Sequence, residues 1–355
     1  MNHIQNEIIL EDCKSVTSGQ ISRLEPLKNE KILITGGTGF MGTWLAEIIT
    51  FLNDTYQFNT QLYLLSTHAH SYREKVPHLA TRRDITLIER DIRNLKDLPE
   101  DVSWIIHAAA NPDSRAHASD PLRTVEVIVD GTDAVLEYAS RLPEVKKILN
   151  ISSGQIYGAQ PRDLGGIPEN FVGGLDCSAF NAAYPESKRI AETICSIYRN
   201  QQRLPIVNAR PFAFIGPWQG LDRPWAINNF IRDAILGGPI RILGDGQTVR
   251  SYMYPSDMAW WLLNILVRGK TGMNYNVGSP EAITLQDLAE KIAGQFPKPP
   301  KIRSGLSKDT SLNVSRFVPS VDLAIKTLDL KITTNLDTAI KRTILWNQMV
   351  NPLRW

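Results

Sequence analysis

The chain has 355 residues, 43% hydrophobic and 21% charged, an ordinary globular composition that excludes a disordered, collagenous or disulfide-scaffold protein. Its 39 Lys and Arg against 37 Asp and Glu leave a net charge of +2 with no long basic run, which gives nucleic acid no support as a partner. The most apolar stretch, Met258 to Val267, falls short of the ~20 residues that span a bilayer, so no membrane partner is expected.

Met1 to Cys13 lacks the basic start and apolar middle of a signal peptide. The three cysteines, Cys13, Cys177 and Cys195, show neither a CxxC pair nor a His partner spacing, so neither a disulfide frame nor a metal site is expected. A reducing cytoplasm is the expected compartment.

The first thirty residues read as a polar lead-in. From Lys31 onward short apolar runs alternate with helix-length segments. The runs are Lys31 to Thr35, Gln61 to Ser66, Ile85 to Arg90, Trp104 to Ala108, Ile148 to Ser152 and Ile206 to Ala209. Between them, Thr43 to Leu52, Ala134 to Arg141 and Tyr184 to Asn200 carry apolar residues three and four apart, which predicts helices laying one face on a sheet. This alternation predicts an α/β fold with a doubly wound parallel sheet.

After Gly216-Pro217 the texture becomes irregular, and a smaller mixed α/β substrate-binding region is expected towards the C-terminus. It would use a helix over Ile227 to Leu236, short strands around Ile240 to Leu243 and a helix led by Thr284 to Ile292, with Lys298 to Ser304 as a connection. The expected organisation is an N-terminal extension over 1–30, a dinucleotide-binding Rossmann domain over 31–216 plus about 250–278, and the substrate-binding region over 217–249 plus about 279–355.

Gly36, Gly39 and Gly42 lie between the first apolar run and an amphipathic helix, with Phe40 and Met41 among them. A missing side chain lets backbone approach a pyrophosphate, whose charge suits a helix N-terminus; a plain turn with close helix packing is the alternative. At the end of the second run, where a carboxylate would grip the ribose of NAD, the chain offers Ser66, Thr67 and His68, with Arg73 a turn later. This set suits a 2′-phosphate, so NADP(H) is favoured over NAD. Asp91 and Ile92 stand where the adenine would be covered, and Ala109 and Ala110 are small enough for close cofactor approach.

Tyr184 and Lys188 are four apart and share a helical face. A neighbouring ammonium favours the phenolate, bringing the phenol toward use as an acid or base; alone, such a pair is more often a surface pair. Ser153, at the end of the fifth run, is placed to hydrogen-bond a reacting oxygen or to cap the next segment. Trp218 and Trp225 could stack a nucleobase or belong to the core.

The glycine loop, a strand-end serine and a YxxxK pair, in this order, resemble the extended short-chain dehydrogenase/reductase family and its nucleotide-sugar epimerases, dehydratases and ketoreductases. Ser152-Ser-Gly-Gln-Ile-Tyr-Gly, Arg210-Pro-Phe-Ala-Phe-Ile-Gly-Pro, Gly244-Asp-Gly-Gln-Thr-Val-Arg-Ser-Tyr and Tyr275-Asn-Val-Gly-Ser extend the resemblance from Lys31 to Trp346. It implies Ser153, Tyr184 and Lys188 as the catalytic trio, with Lys188 also holding the nicotinamide ribose, Pro211 and Phe212 lining the nicotinamide, and Arg250 clamping the diphosphate of a nucleoside-diphosphate sugar. Gln155 and Trp225 complete the expected substrate contacts. A homodimer through helices drawing on Ala134 to Arg141 and Ile190 to Asn200 is allowed by the same resemblance.

Where related 4,6-dehydratases carry an Asp-Glu pair this chain has Gly154-Gln155, and the glutamate of related sugar-acid decarboxylases would also fall at Gln155. Elimination and decarboxylation are therefore disfavoured, and simple hydride chemistry at the sugar's C4 is expected. The leading expectation is NADPH-dependent reduction of a 4-keto (deoxy)hexose nucleotide, and the alternative is redox-neutral 4-epimerisation with bound NAD. Ile128 and Ala213 stand where many relatives have asparagine, which leaves open a dinucleotide-binding sensor or scaffold without turnover.

Overall fold

The computed structural model describes residues 1, 3–305 and 315–349. Parts of the expected substrate-binding region, 306–314 and 350–355, therefore lie outside the described residues.

The apolar runs become strands β1 (Lys31–Thr35), β2 (Gln61–Ser66), β3 (Ile85–Glu89), β4 (Trp104–His107), β5 (Lys147–Ile151) and β6 (Ile206–Pro211), joined at the edge by Asn274–Val277. All pair in parallel, in the order β3-β2-β1-β4-β5-β6 and then Asn274–Val277, so the winding reverses between β1 and β4. The fold is the expected doubly wound α/β sheet, and sheets of this kind take ligands at the carboxyl ends of the strands where the winding reverses, here β1 and β4.

Strand alternation sorts the core into two layers. Ile32 and Ile34 enter one layer with Trp44, Leu45 and Ile48 of helix α2 (Phe40–Tyr56; helix α1 is His3–Thr17), and Leu33 enters the other with Ile105, Ile148, Val135 and Cys195. The second layer is roofed by helices Pro121–Arg141 and Ala183–Gln201.

Met258 to Val267 lies in helix Pro255–Arg268, whose Trp260, Trp261, Leu262 and Leu263 are all buried. A helix apolar on every side must be covered on every side. The sheet and α2 cover part of it, and the first thirty residues together with helix Asp322–Leu328 cover the rest. Those first residues are more than a polar lead-in: Ile8 of α1 is buried, and Ile9, Cys13 and Val16 of α1 and Leu24 and Leu27 beyond it are buried in the main core. Asp12, also buried, accepts from Tyr254 Oη at 2.7 Å and from Arg342 of the last helix, Leu336–Met349.

A second core gathers helices Ala226–Ile235, Leu285–Ala293 and Leu336–Met349. The stretch read as a connection contributes a strand, Ile302–Ser304, which pairs in parallel with Ile240–Ile242. Its backbone bonds come from a partner sixty residues upstream, which local spacing cannot reveal.

Candidate active site

The glycine loop is held open by backbone sterics. Gly36 has φ +67°, and a β-carbon there would stand 2.7 Å from the Ala108 carbonyl at the end of β4. One on Gly42 would stand 2.4 Å from the Gly37 carbonyl. Gly39 caps α2 without a side-chain bond, and the first turn holds no acidic residue. The Gly39 amide is taken up by the Gly36 carbonyl at 2.9 Å, and the first-turn N–H groups of Phe40 and Met41 fit a dinucleotide pyrophosphate. Thr38 Oγ1 donates to Ser66 Oγ at 2.6 Å, tying this loop to the end of β2.

Ser66 Oγ also accepts the His68 amide at 3.1 Å, so its hydroxyl is already engaged; Thr67 and Arg73 are exposed. Two neighbours escaped the sequence reading because they sit at the end of β3 and just after it. Glu89 is in register with Ser66 and accepts the His70 amide at 2.8 Å, and the Arg90 amide donates to the Ser66 carbonyl at 3.0 Å. The view that no carboxylate stands near the ribose end is thus corrected: strand pairing brings one there. Asp91 turns to Arg93 at 2.8 Å, whose guanidinium holds its carboxyl down to about 2. Ile92 packs on Gly131, where a β-carbon would stand 2.8 Å from its Cγ2. Ala109 accompanies Ala108 beside Gly36, and Ala110 packs with Ile128, Tyr184 and Ala191.

Across the crevice, Ser153 leaves β5 and accepts the Gln155 amide at 3.1 Å, while helix Ala183–Gln201 carries Tyr184 and Lys188. Burial pushes the Tyr184 phenol up to about 12, against a smaller downward pull from its hydrogen bond with Ser153. Burial pushes the Lys188 ammonium down to about 8, and it donates to the Ile151 carbonyl at 2.7 Å. In this geometry the Lys188 ammonium is directed at the Ile151 carbonyl and burial governs the phenol, while the expectation of a lowered phenol also counts on a cationic nicotinamide beside it. A protonated Tyr184 at neutral pH is a proton donor.

Ile128, one of the unusual positions, is buried against Tyr184. On the ring itself lies an unexpected residue, His117, stacked at 4.3 Å between centroids and 10° between planes. No spacing pattern in the sequence pairs residues 117 and 184.

Gly154 is packed on Phe212, and a β-carbon there would stand 2.7 Å from the ring. Phe212 in turn stacks on Phe317 at 4.5 Å, following the buried Pro211. The Gln155 side chain is exposed. Tyr157 and Arg210, both in the shared motifs, form a supporting network: Arg210 donates to Tyr157 Oη at 2.8 Å and pairs with Glu192 at 2.7 Å.

The expected substrate contacts do not all converge on Tyr184. Arg250 donates to the Val249 carbonyl at 2.8 Å and to Ser315 Oγ at 3.1 Å. Trp225 is half-buried at the start of Ala226–Ile235. Trp218 belongs to the core, stacked on His78 at 5.8 Å and edge-on to Trp346 at 4.8 Å. Among the described residues no cluster of His, Cys, Asp and Glu could hold a metal ion, and no helix is long and apolar enough to cross a membrane.

Comparison with known proteins agrees with this architecture. A UDP-glucuronic acid decarboxylase of Arabidopsis thaliana is 28% identical over 277 residues, covering 75% of this chain and 77% of its own. The structure of an epimerase from Methanothermobacter thermautotrophicus superposes with a TM-score of 0.78 at 23% identity, over 94% of this chain and 96% of that one. A UDP-glucuronic acid 4-epimerase from Bacillus cereus, solved with UDP-glucuronic acid and NAD, superposes at 0.75 and 22% identity over 90% of this chain and 99% of its own. Residues 32–278 match the family described as NAD dependent epimerase/dehydratase, spanning the glycine loop, Ser153, Tyr184 and Lys188, and the chain belongs to that enzyme family.

Proposed function

We propose that this enzyme reduces the 4-keto group of a nucleoside-diphosphate (deoxy)hexose with NADPH. The observation that carries the reading is a buried Tyr184 across from a Gly154-Gln155 pair that supplies no acid or base for elimination. The nicotinamide supplies a hydride to C4 when bound. Gly36, Gly39, Phe40, Met41 and Gly42 would hold the pyrophosphate, with Ala109, Ala110, Asp91 and Ile92 around the adenosine half. Ser66, Thr67, Arg73 and Arg90 would face the 2′-phosphate, and Lys188, Pro211 and Phe212 would flank the nicotinamide ribose and ring. Ser153 orients the carbonyl oxygen and Tyr184 donates a proton to it as charge develops. Arg250, Gln155 and Trp225 would meet the diphosphate, sugar and base, which requires Arg250 to turn from Ser315 toward the ligand.

Redox-neutral C4 epimerisation with retained NAD is the second reading, and Glu89 favours it, since a carboxylate beside Ser66 suits a ribose hydroxyl better than a phosphate. Decarboxylation, the activity named for the Arabidopsis relative, is disfavoured by the amide at Gln155. A homodimer through helices Pro121–Arg141 and Ala183–Gln201 is consistent with exposed Leu122, Ile190 and Ile197. The cytoplasm remains the proposed compartment.

The test supplies the enzyme with NADPH and 4-keto sugars linked to UDP, dTDP, CDP and GDP, and in parallel with the parent hexoses and no reductant. NADPH oxidation with a stable alcohol product is expected. Conversion of a hexose to its C4 epimer with no net cofactor change would overturn reduction in favour of epimerisation.

A further inference from the structure

Tyr184 is 6% exposed and Lys188 4%, so whatever sets the phenol's direction must be a neighbour within the protein. Ile128, Ala191 and Ala110 pack against Tyr184, and Ser153 hydrogen-bonds its oxygen. The ring also stacks on the face of His117, which comes from a different kind of element. His117 lies on the short helix Ser114–Ser119, in the loop that follows β4. Its Nε2 is 2.5 Å from the Asn111 carbonyl, which can only accept, so Nε2 carries the proton and the ring plane is fixed by its own loop.

That loop is anchored in turn. Asp113, 5% exposed, accepts the Arg115 amide at 2.9 Å and Arg115 Nη2 at 2.7 Å, and it also pairs with Arg223 Nη1 at 3.3 Å. Arg223 belongs to the irregular segment after Gly216-Pro217, which leads into helix Ala226–Ile235 of the second core. One chain of contacts therefore runs from the second core through Arg223, Asp113 and the Asn111–His117 loop to the face of Tyr184.

We propose that His117 is a positioning residue for Tyr184, and that the Asp113–Arg223 pair couples this positioning to docking of the 219–225 segment. With the Asp113–Arg223 pair made, the loop holds the phenol in its reacting direction. The inference rests on Tyr184 as the proton-transfer group of the proposed function, but the stack and its coupling can be read without substrate.

The chain has six histidines, so selective ¹³C labelling of their Cε1 positions gives a simple spectrum. At pH 8, where an ordinary imidazole is neutral, one signal besides that of His78 on Trp218 is expected upfield, from the ring current of the phenol. It should vanish in His117→Ala and lose its upfield shift in Tyr184→Leu and in Arg223→Ala. In the kinetic arm, His117→Ala should lower kcat about two- to tenfold, the scale of an aromatic ring pair, with the KM for cofactor and the melting temperature unchanged. His117→Phe, which keeps a ring, should restore most of the rate. Arg223→Ala should lower kcat by a similar factor, and the double variant should be no slower than either single.

An upfield His117 signal that Arg223→Ala leaves in place would overturn the coupling, and its absence from the wild type would overturn the stack. Wild-type kcat in His117→Ala would overturn the positioning role, as would failure of Phe to rescue. If the wild type turns over none of the sugars, the proposed function falls, while the labelled spectra still decide the stack and its coupling.

Discussion

Phe212 is held between two glycines: a β-carbon on Gly154 would stand 2.7 Å from its ring, and one on Gly278 would stand 3.1 Å from its Cβ. With Phe317 stacked on its ring, Phe212 has little room to yield. The residue after Ser153 is therefore limited to glycine by packing as well as lacking an acid. Gly154→Asp with Gln155→Glu should destabilise the enzyme by about 1–3 kcal/mol, the usual cost of overpacking, and give no hexose dehydration. Thermal melts and product analysis check both points. A stable double variant that dehydrates a nucleotide hexose would show that the Phe212 ring moves freely.

Tyr184→Phe removes the phenol oxygen and keeps the ring that faces His117. Turnover should fall at least ~100-fold, as expected on losing a general acid, with cofactor affinity within about twofold. Lys188→Ala should damage both rate and cofactor binding, since it empties a buried site and leaves the Ile151 carbonyl without its donor. Turnover in the Phe variant near the wild-type value would place proton transfer on another group.

The sheet was legible because each strand carries its own signal: the bounds of β1 and β2 coincide with the apolar runs Lys31 to Thr35 and Gln61 to Ser66. The glycine loop was legible for the same reason, being local to one strand-to-helix turn. What stayed hidden depends on contacts between distant segments. The burial of α1 could have been read from Ile8, Ile9, Cys13 and Val16, which recur at helical spacing. No such pattern exists for His117 on Tyr184, or for Glu89 and Arg90 beside Ser66, because strand pairing and a loop excursion create these neighbours.

Cofactor choice turns on those two residues, Glu89 at the end of β3 and Arg90 after it. If Arg90 and Arg73 receive a 2′-phosphate, the protein should bind NADPH more tightly than NADH. Arg90→Ala should then weaken NADPH by about tenfold, roughly the 1.5–3 kcal/mol range of a charge-assisted bond discounted for exposure, and leave NADH unchanged. Fluorescence titration measures both. A stronger response to NADH than to NADPH, unchanged in Arg90→Ala, would mean that Glu89 governs the ribose end and would move weight to epimerisation.

The last prediction concerns acid stability and a ring buried under the crevice. His107, at the end of β4, has its Nδ1 2.8 Å from Thr35 Oγ1 and its Nε2 3.1 Å from Thr132 Oγ1. Thr132 Oγ1 gives its proton to the Ile128 carbonyl at 2.6 Å, so it must accept from Nε2–H, and Nδ1 accepts from Thr35. Both nitrogens of a neutral ring are thus satisfied, and burial, aided by the charge of Lys188, pushes the imidazole down to about 3 from its ordinary 6.5. Between these values the unfolded chain binds a proton that the folded chain does not, so this contribution to stability is full above pH 6.5 and falls as pH drops toward 3. The loss is about 1.4 kcal/mol per pH unit. Asp12 and Asp257, raised by burial to about 7 and about 6, act in the opposite direction, since their folded forms bind protons more readily as pH falls. They are common to the wild type and to His107→Gln, so comparing the two isolates the ring. The glutamine variant should be less stable at pH 7, where it loses the Thr35 and Thr132 bonds, and the gap should narrow steadily from pH 6.5 to pH 4 in denaturant melts. A gap that stays constant over that range would show that the folded protein accepts a proton at His107 as readily as the unfolded chain does.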